Sequence, residues 1–334
     1  MTSAAATPSG ATQSVVDRFA RRHRFRWFEF LPWAVAAAAF FAFPDYLALG
    51  AQVLATTLFA LSLDLILGYA GIVTLGHAAL FGTGAYAAGL LAAHGWGEPV
   101  SGLVIAAGVA ALVGFLSGAV LLRAQGLTLL MLTLVVAAML YEAANKAAGI
   151  TGGADGLSGM EVWPVLGFHF DLFGVTAYWY CLAILFVCWL IARTIVHSPF
   201  GRSLTGIREN ERRMHAIGSP VYWRLLTIYT IAAAMAGAAG ALIAQTTSFV
   251  GLDVLDPINR SGEILIMLIL GGVGRLYGAF IGVPLYMILK DQFAEVDPVY
   301  WYFWIGLILV LVVVFARGGA LGVAERLVRR FGKG

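Results

Sequence analysis

The sequence predicts an all-α membrane protein, a polytopic bundle of about ten transmembrane helices. Three observations predict it: the apolar share of the chain, the recurrence of apolar runs of membrane-crossing length, and the sorting of positive charge between the connections. Hydrophobic residues make up 60% of the 334 residues and charged residues 12%, about half the share of a water-soluble domain. A mean hydropathy of +0.86 calls for lipid as the solvent. The 40 glycines suit helices whose backbones approach closely inside a bilayer. The net charge of +3 is small, and the placement of the charges carries more information than their sum.

A helix needs about 20 apolar residues to cross a bilayer, or about 17 when short. Such runs occupy 27–43, 47–67, 75–93, 100–122, 127–144, 176–192, 225–247, 262–289 and 299–315. The run 262–289 is long and holds Gly271-Gly272-Val273-Gly274-Arg275-Leu276-Tyr277-Gly278 near its centre. As one helix it gives nine spans and puts the chain ends on opposite faces. As two short, tilted spans joined at the glycines it gives ten, with both ends on one face. The N-terminal segment carries Arg18, Arg21, Arg22, Arg24 and Arg26; the C-terminal one carries Arg317, Arg326, Arg329, Arg330 and Lys333. Lysine and arginine stay cytoplasmic, which selects ten spans and two cytoplasmic termini. With that topology Arg123, Arg275 and the six arginines of 193–224 also fall inside. Of the 21 lysines and arginines, Lys146, Arg260 and Lys290 are then left outside. Asp155, Glu161, Asp171, Asp253, Asp256, Asp291, Glu295 and Asp297 fall outside with them.

The organisation that follows is a cytoplasmic basic segment 1–26, a transmembrane domain 27–316 with a cytoplasmic loop 193–224 and a periplasmic loop 145–173, and a basic tail 317–334. The apolar part Leu31–Phe43 of the first run is read as belonging to a span, not a cleaved signal, because some thirty residues precede it and a good small-residue cleavage site is missing.

Lipid tails are as apolar as leucine, so helices associate through small residues. Gly274, Gly278 and Gly282 recur every four residues, as do Ala233, Gly237 and Ala241, with Ala236, Gly240 and Ala244 beside them. Ala78 with Gly82, and Ala85 with Gly89, give a further small face.

Catalytic signatures are absent from the sequence. There is no G-x-x-x-x-G-K-[ST] to cradle nucleotide phosphates, no G-x-S-x-G, no H-E-x-x-H and no paired-cysteine metal spacing. Cys181 and Cys188, seven apart in one apolar run, read as small packing residues without a disulfide framework. No enzyme activity, cofactor, metal or nucleic-acid partner is expected, and the expected partner surface is lipid.

Ionisable side chains inside spans are costly and mark function by default. Asp64, near the inner end of its run, and Glu142, near the outer end of its own, are the candidates, with His77 as a third pathway or gate residue. Asp64 and His77 are expected to share a polar network near the inner gate. The loop 193–224 carries Arg208, Glu209, Glu211, Arg212 and Arg213, closed by Gly218-Ser219-Pro220. This pattern predicts a short amphipathic helix ended by Gly and Pro. The loop 145–173, turned by Gly152, Gly153, Gly156 and Gly159, is longer than a connector needs to be. It is a candidate docking surface or a packed lid.

Three segments in order resemble the permeases of the high-affinity branched-chain amino acid ABC importers, the LivM type. The first runs through Leu61-Ser62-Leu63-Asp64-Leu65-Ile66-Leu67-Gly68-Tyr69-Ala70-Gly71, Thr74-Leu75-Gly76-His77-Ala78 and Gly82-Thr83-Gly84-Ala85-Tyr86. The second is Thr151-Gly152-Gly153-Ala154-Asp155-Gly156-Leu157-Ser158-Gly159. The third joins Ser198-Pro199-Phe200-Gly201-Arg202, Ile207-Arg208-Glu209-Asn210-Glu211 and Ala216-Ile217-Gly218, with a similar turn at Leu270-Gly271-Gly272-Val273-Gly274. Asp64 stands where the family commonly has Asn, and Ile72 where it commonly has Gln.

The resemblance implies an ABC importer permease in a bacterial inner membrane, moving branched-chain amino acids or related small polar solutes inward by alternating access. It implies a second, LivH-like permease subunit, two cytoplasmic ATPase subunits that supply hydrolysis, and a periplasmic or extracellular substrate-binding protein. It makes Arg208, Glu209, Glu211 and Gly218 the coupling residues that dock on an ATPase. A urea or short-chain amide ABC permease is the neighbouring alternative. An ion-coupled secondary transporter would show a midplane ion site and inverted repeats, and no convincing repeat is visible.

Overall fold

The computed structural model describes residues 27–165, 168, 174–297, 300–315 and 318–322. The terminal segments whose arginines and lysines set the predicted orientation, Asp171, and most of the end of the 145–173 loop lie outside the described residues.

The described chain is built from helices. A 3-10 turn Trp27–Phe30 leads into α1 (Leu31–Ala42), and a second, Pro44–Tyr46, into α2 (Leu47–Asp64). The helix α2 continues as a π-helical turn Leu65–Ala70. Then come α3 (His77–Ala93), α4 (Pro99–Leu121), α5 (Gly126–Lys146), α6 (Val175–His197), α7 (Pro199–Glu209), α8 (Glu211–Ala216) and α9 (Val221–Thr247). The chain ends with α10 (Asn259–Gly271), α11 (Gly278–Val296) and α12 (Trp301–Phe315). Among the described residues, five stretches are long and apolar enough to cross a membrane: Pro44–Ala70, Pro99–Leu121, Gly126–Lys146, Val175–His197 and Val221–Thr247.

The long run 262–289 divides at its glycines into α10 and α11. Gly272 and Gly274 take φ of 118° and 75°, values that an L side chain rarely adopts. At about 1.5 Å per residue, the 13 residues of α10 rise about 20 Å, short of the ~30 Å hydrocarbon core.

The centre of the bundle is α9 packed against α3 and α4, with α2 alongside. The small residues explain the closeness. A side chain at Gly84 would meet the backbone of Gly237, one at Gly240 the carbonyl of Phe81, and one at Gly237 the methyl of Ala110. Close approach of this kind supplies the dispersion contacts that hold helices together when lipid is the competitor. The same geometry closes the α10–α11 hairpin, where Gly282 abuts the Met267 carbonyl and Gly278 that of Gly272. That hairpin packs on one side of α2, and α6 on another.

Helix α9 ends at Ser248, the one described non-glycine residue with positive φ, 51°. From there the chain folds back along α3. Val250 lies by Gly89, Leu255 by Gly82, and Arg260 over the Phe81 ring. Helix α10 therefore starts inside the bundle. Irregular backbone at such depth is tolerated only where protein covers it or water lines it. Here Val250, Val254 and Leu255 are buried. Val250 exchanges both backbone hydrogen bonds with Leu157 (2.8 and 3.0 Å). The Asp256 carboxylate accepts the Ile258 and Asn259 amides, each at 2.9 Å.

Candidate functional site

The first and third sequence segments and the glycine turn, far apart in the chain, meet at one place. The π turn Leu65–Ala70 ends at Gly71, whose φ of 75° reverses the chain where the Arg208 stem leaves no room for a Cβ. The Arg208 guanidinium donates to the Gly68 carbonyl. The backbone of Gly274 packs on Gly68, and the Gly274 amide donates to Asp64 Oδ1 at 2.7 Å. Asp64 is buried, 1% exposed, and its second oxygen has no partner among the described residues. A carboxylate at this position thus fixes the break between α10 and α11, and an arginine on α7 fixes the turn beneath it.

The loop 193–224 folds as two helices instead of the single one expected. Ser198 caps α7 by accepting the Gly201 amide at 3.2 Å, with Pro199 at the first helical position. Asn210 is extended (φ −158°) and starts α8 by accepting the Arg213 amide at 2.9 Å; Asn and Ser compete with the helix for its own amides and so begin new ones. The apolar side of α7, Leu204 and Ile207, is buried, and Arg208, Glu209, Glu211 and Gly218 stay on its outer side or beyond it. Glu211 accepts from Gln125 Nε2 at 3.0 Å and stands 3.7 Å from His215. Gly218, φ 79°, closes α8.

His77 does not join Asp64, so the single network expected from sequence is two. Its Nε2 lies 2.8 Å from Ser62 Oγ, and Ser62 donates to the Phe59 carbonyl at 2.7 Å. The imidazole stacks on the Phe59 ring, centroids 5.3 Å apart and planes at 2°. Ser62 and Asp64 are two residues apart on α2 and therefore point to different sides of it. The next amide, that of Ala78, donates to Ser261 on α10 at 3.2 Å.

Glu142 does not face the interior of this chain. It is exposed on α5 and pairs with Lys146 at 3.4 Å, in a shallow groove lined by Val135 and Met139. The interior charges lie elsewhere. Arg193 Nε donates to Glu29 Oε2 at 2.7 Å, both side chains largely buried, joining α6 to the turn before α1. Glu263 holds Lys290 Nζ at 2.8 Å and stands 3.5 Å from Arg260 Nη1, with the Tyr286 hydroxyl also at 3.5 Å. Arg260, expected outside, instead reaches the Phe81 ring, because the chain after α9 turns back along α3, whereas Lys290 on α11 stays partly exposed. Glu29 and Glu263 were legible as acids within apolar runs; their partners were not. Among the described residues no cluster of His, Cys, Asp and Glu can hold a metal ion.

The loop after α5 is tied down on the opposite side from Arg208. Besides the Leu157–Val250 pairing, the Trp163 amide donates to the Gly97 carbonyl at 2.7 Å. Gly156, φ 77°, makes its turn against the Phe249 ring.

Long apolar helices packed through glycine, a broken helix starting mid-bundle, and charges paired in the interior define a multi-pass membrane protein of the transporter class. The chain belongs to the branched-chain amino acid transport system / permease component family, whose model matches residues 46–313. It is 27% identical over 289 residues to the high-affinity branched-chain amino acid transport system permease protein LivM of Salmonella typhimurium, and 26% identical to that of Escherichia coli. Each alignment covers 78% of this chain and 66% of the relative; the chain thus spans just under two thirds of these relatives' length. The probable branched-chain amino acid transport permease protein LivM of Methanocaldococcus jannaschii is 27% identical over 266 residues, covering 69% of this chain and 76% of the relative. No solved structure gives a significant match.

Proposed function

We propose that this chain is a permease subunit of an ATP-binding-cassette importer that moves branched-chain amino acids inward by alternating access. Its partners in this reading are a second permease subunit, two cytoplasmic ATPase subunits and a substrate-binding protein outside. The observation that carries the reading is the junction of Arg208 with Gly68 beside Asp64 and Gly274. A push on α7 and α8 by a soluble motor reaches, through one side chain, both the end of α2 and the break between α10 and α11. Arg208, Glu209, Glu211 and Gly218 present that handle, and the Arg208 side of the bundle is cytoplasmic with both termini. Asp64 acts as a positioning residue at the inner end, and the strapped loop after α5 faces the binding protein. The packing of Gly237, Gly240, Gly274, Gly278 and Gly282 lets the helices slide as units. Ten spans accommodate this arrangement.

The test is reconstitution. The chain, assembled in proteoliposomes with the permease and ATPase subunits that co-purify with it, is expected to take up L-leucine only with ATP and the loaded binding protein. Uptake of urea or acetamide in place of leucine would move the substrate class; uptake driven by an ion gradient without ATPase subunits would overturn the importer reading.

A further inference from the structure

The first turn of α10 carries a guanidinium that its acidic partner among the described residues holds only loosely, and it does so halfway through the bundle. The depth follows from ring contacts. Phe59 lies near the midpoint of the continuous helix formed by α2 and its π turn. Its ring is 4.4 Å from that of Phe81, and Arg260 Cζ sits 5.7 Å from the centre of the Phe81 ring.

At that level two cations, Arg260 and Lys290, share the single carboxylate of Glu263. Asp256, four residues before Arg260, directs its oxygens to its own turn, accepting the Ile258 and Asn259 amides and the Asn259 side chain. The two cations are not equivalent. Lys290 is held closely, at 2.8 Å, and also faces the Trp301 ring at 5.2 Å. Arg260 is held by Glu263 only at 3.5 Å, leaving most of its donors unspent, and its side chain is 28% exposed where that of Glu263 is 11% exposed. The start of α10 adds its own partial positive charge. A guanidinium at mid-depth does not turn its open side to lipid, so that side meets either a hydrated path or another polar group. It is a planar fork of donors, suited to a carboxylate.

We infer that Arg260 binds the carboxylate of the transported solute at the midpoint of the path, with Glu263 holding the guanidinium in place and Lys290 fixing Glu263. The ligand class is a small monocarboxylate with an apolar tail. This rests on reading the chain as an amino acid permease, and it makes the flank formed by the turn Leu252–Leu255 and the first turn of α10 the one that lines the path.

The experiment uses the complete complex in detergent without binding protein, so that only the membrane site is probed. Melting temperatures are compared with L-leucine, 4-methylpentanoate, which keeps the carboxylate alone, and 3-methylbutylamine, which keeps the ammonium alone. Leucine and 4-methylpentanoate are expected to raise the melting temperature and the amine not to. Arg260→Gln is expected to abolish both shifts and, in proteoliposomes, to cut leucine uptake about tenfold or more, the scale of one charge-assisted hydrogen bond; Arg260→Lys restores part of each. A shift and an uptake in Arg260→Gln equal to wild type overturn the inference while leaving the transport reading intact. No leucine uptake by the wild-type complex sinks the transport reading itself, and the melting shifts then decide the carboxylate site on their own. Should Arg260→Gln not assemble, Arg260→Lys carries the test: its 4-methylpentanoate shift is expected to be smaller than that of wild type, and a shift equal to wild type overturns the site.

Discussion

The Gly274 amide donates to the Asp64 carboxylate across 2.7 Å, with Asp64 99% buried and Gly274 at φ 75°. One hydrogen bond thereby ties the break between α10 and α11 to the last turn of α2. Asp64→Leu leaves a buried amide without its acceptor, at a cost of about 1–3 kcal/mol. Asp64→Asn keeps an oxygen in place and is expected to stay close to wild type. Thermal unfolding of the purified protein in detergent checks the pair; equal losses in both variants would mean that the carboxylate charge, not the acceptor, matters.

Arg208 reaches the Gly68 carbonyl with its guanidinium while its stem fills the space beside Gly71. Arg208→Ala is expected to insert and assemble normally, yet to hydrolyse ATP with leucine uptake reduced by about tenfold, because the removed bond is charge-assisted. Bulky replacements of Glu211 or Gly218 are expected to uncouple in the same way; at Gly218 the positive φ of 79° adds strain to any side chain. The measurement is uptake per ATP hydrolysed, and a wild-type ratio in all three variants removes the coupling assignment.

Glu29 and Arg193 form a pair at 2.7 Å with side chains 12% and 8% exposed. Removing one partner leaves the other's buried charge without its counter-ion, which costs about 3–5 kcal/mol. Glu29→Gln or Arg193→Met is thus expected to lower the melting temperature sharply, while the double variant recovers most of the loss. A double-mutant cycle measures this, and simple additivity of the two losses contradicts it.

At the closest crossing of α3 and α9, a side chain on Gly84 would run into the Gly237 backbone. Backbone yields less readily than a side chain, so Gly84→Val is expected to destabilise by at least the ~1–3 kcal/mol typical of overpacking. Gly108, which has open space around it, is the control: Gly108→Val is expected to unfold at the wild-type temperature.

The helical class, the apolar runs and the family segments were legible because each is written in local composition: lipid demands a continuous apolar run, and a helix break demands glycine. The break at Gly271–Gly278 was readable for that reason. Charged positions were less so. Glu142 sits within an apolar run just as Glu263 does, but Glu142 opens outward to Lys146 while Glu263 closes on Lys290. Helical periodicity alone does not say which face of a run apolar all round meets lipid.

By itself, the sequence determined that this chain folds in a membrane, packs through glycine and resembles a permease along most of its length. Only the tertiary structure decided that Asp64 and His77 serve separate hydrogen-bond sets, that the chain turns back after Ser248, and that Arg260 comes to rest on Phe81 at mid-depth. The physical reason is that solvent preference is a property of each residue, whereas the partner of a buried charge is fixed by helices distant in the chain. Such pairings follow from how the bundle closes, and no local stretch of sequence contains that information.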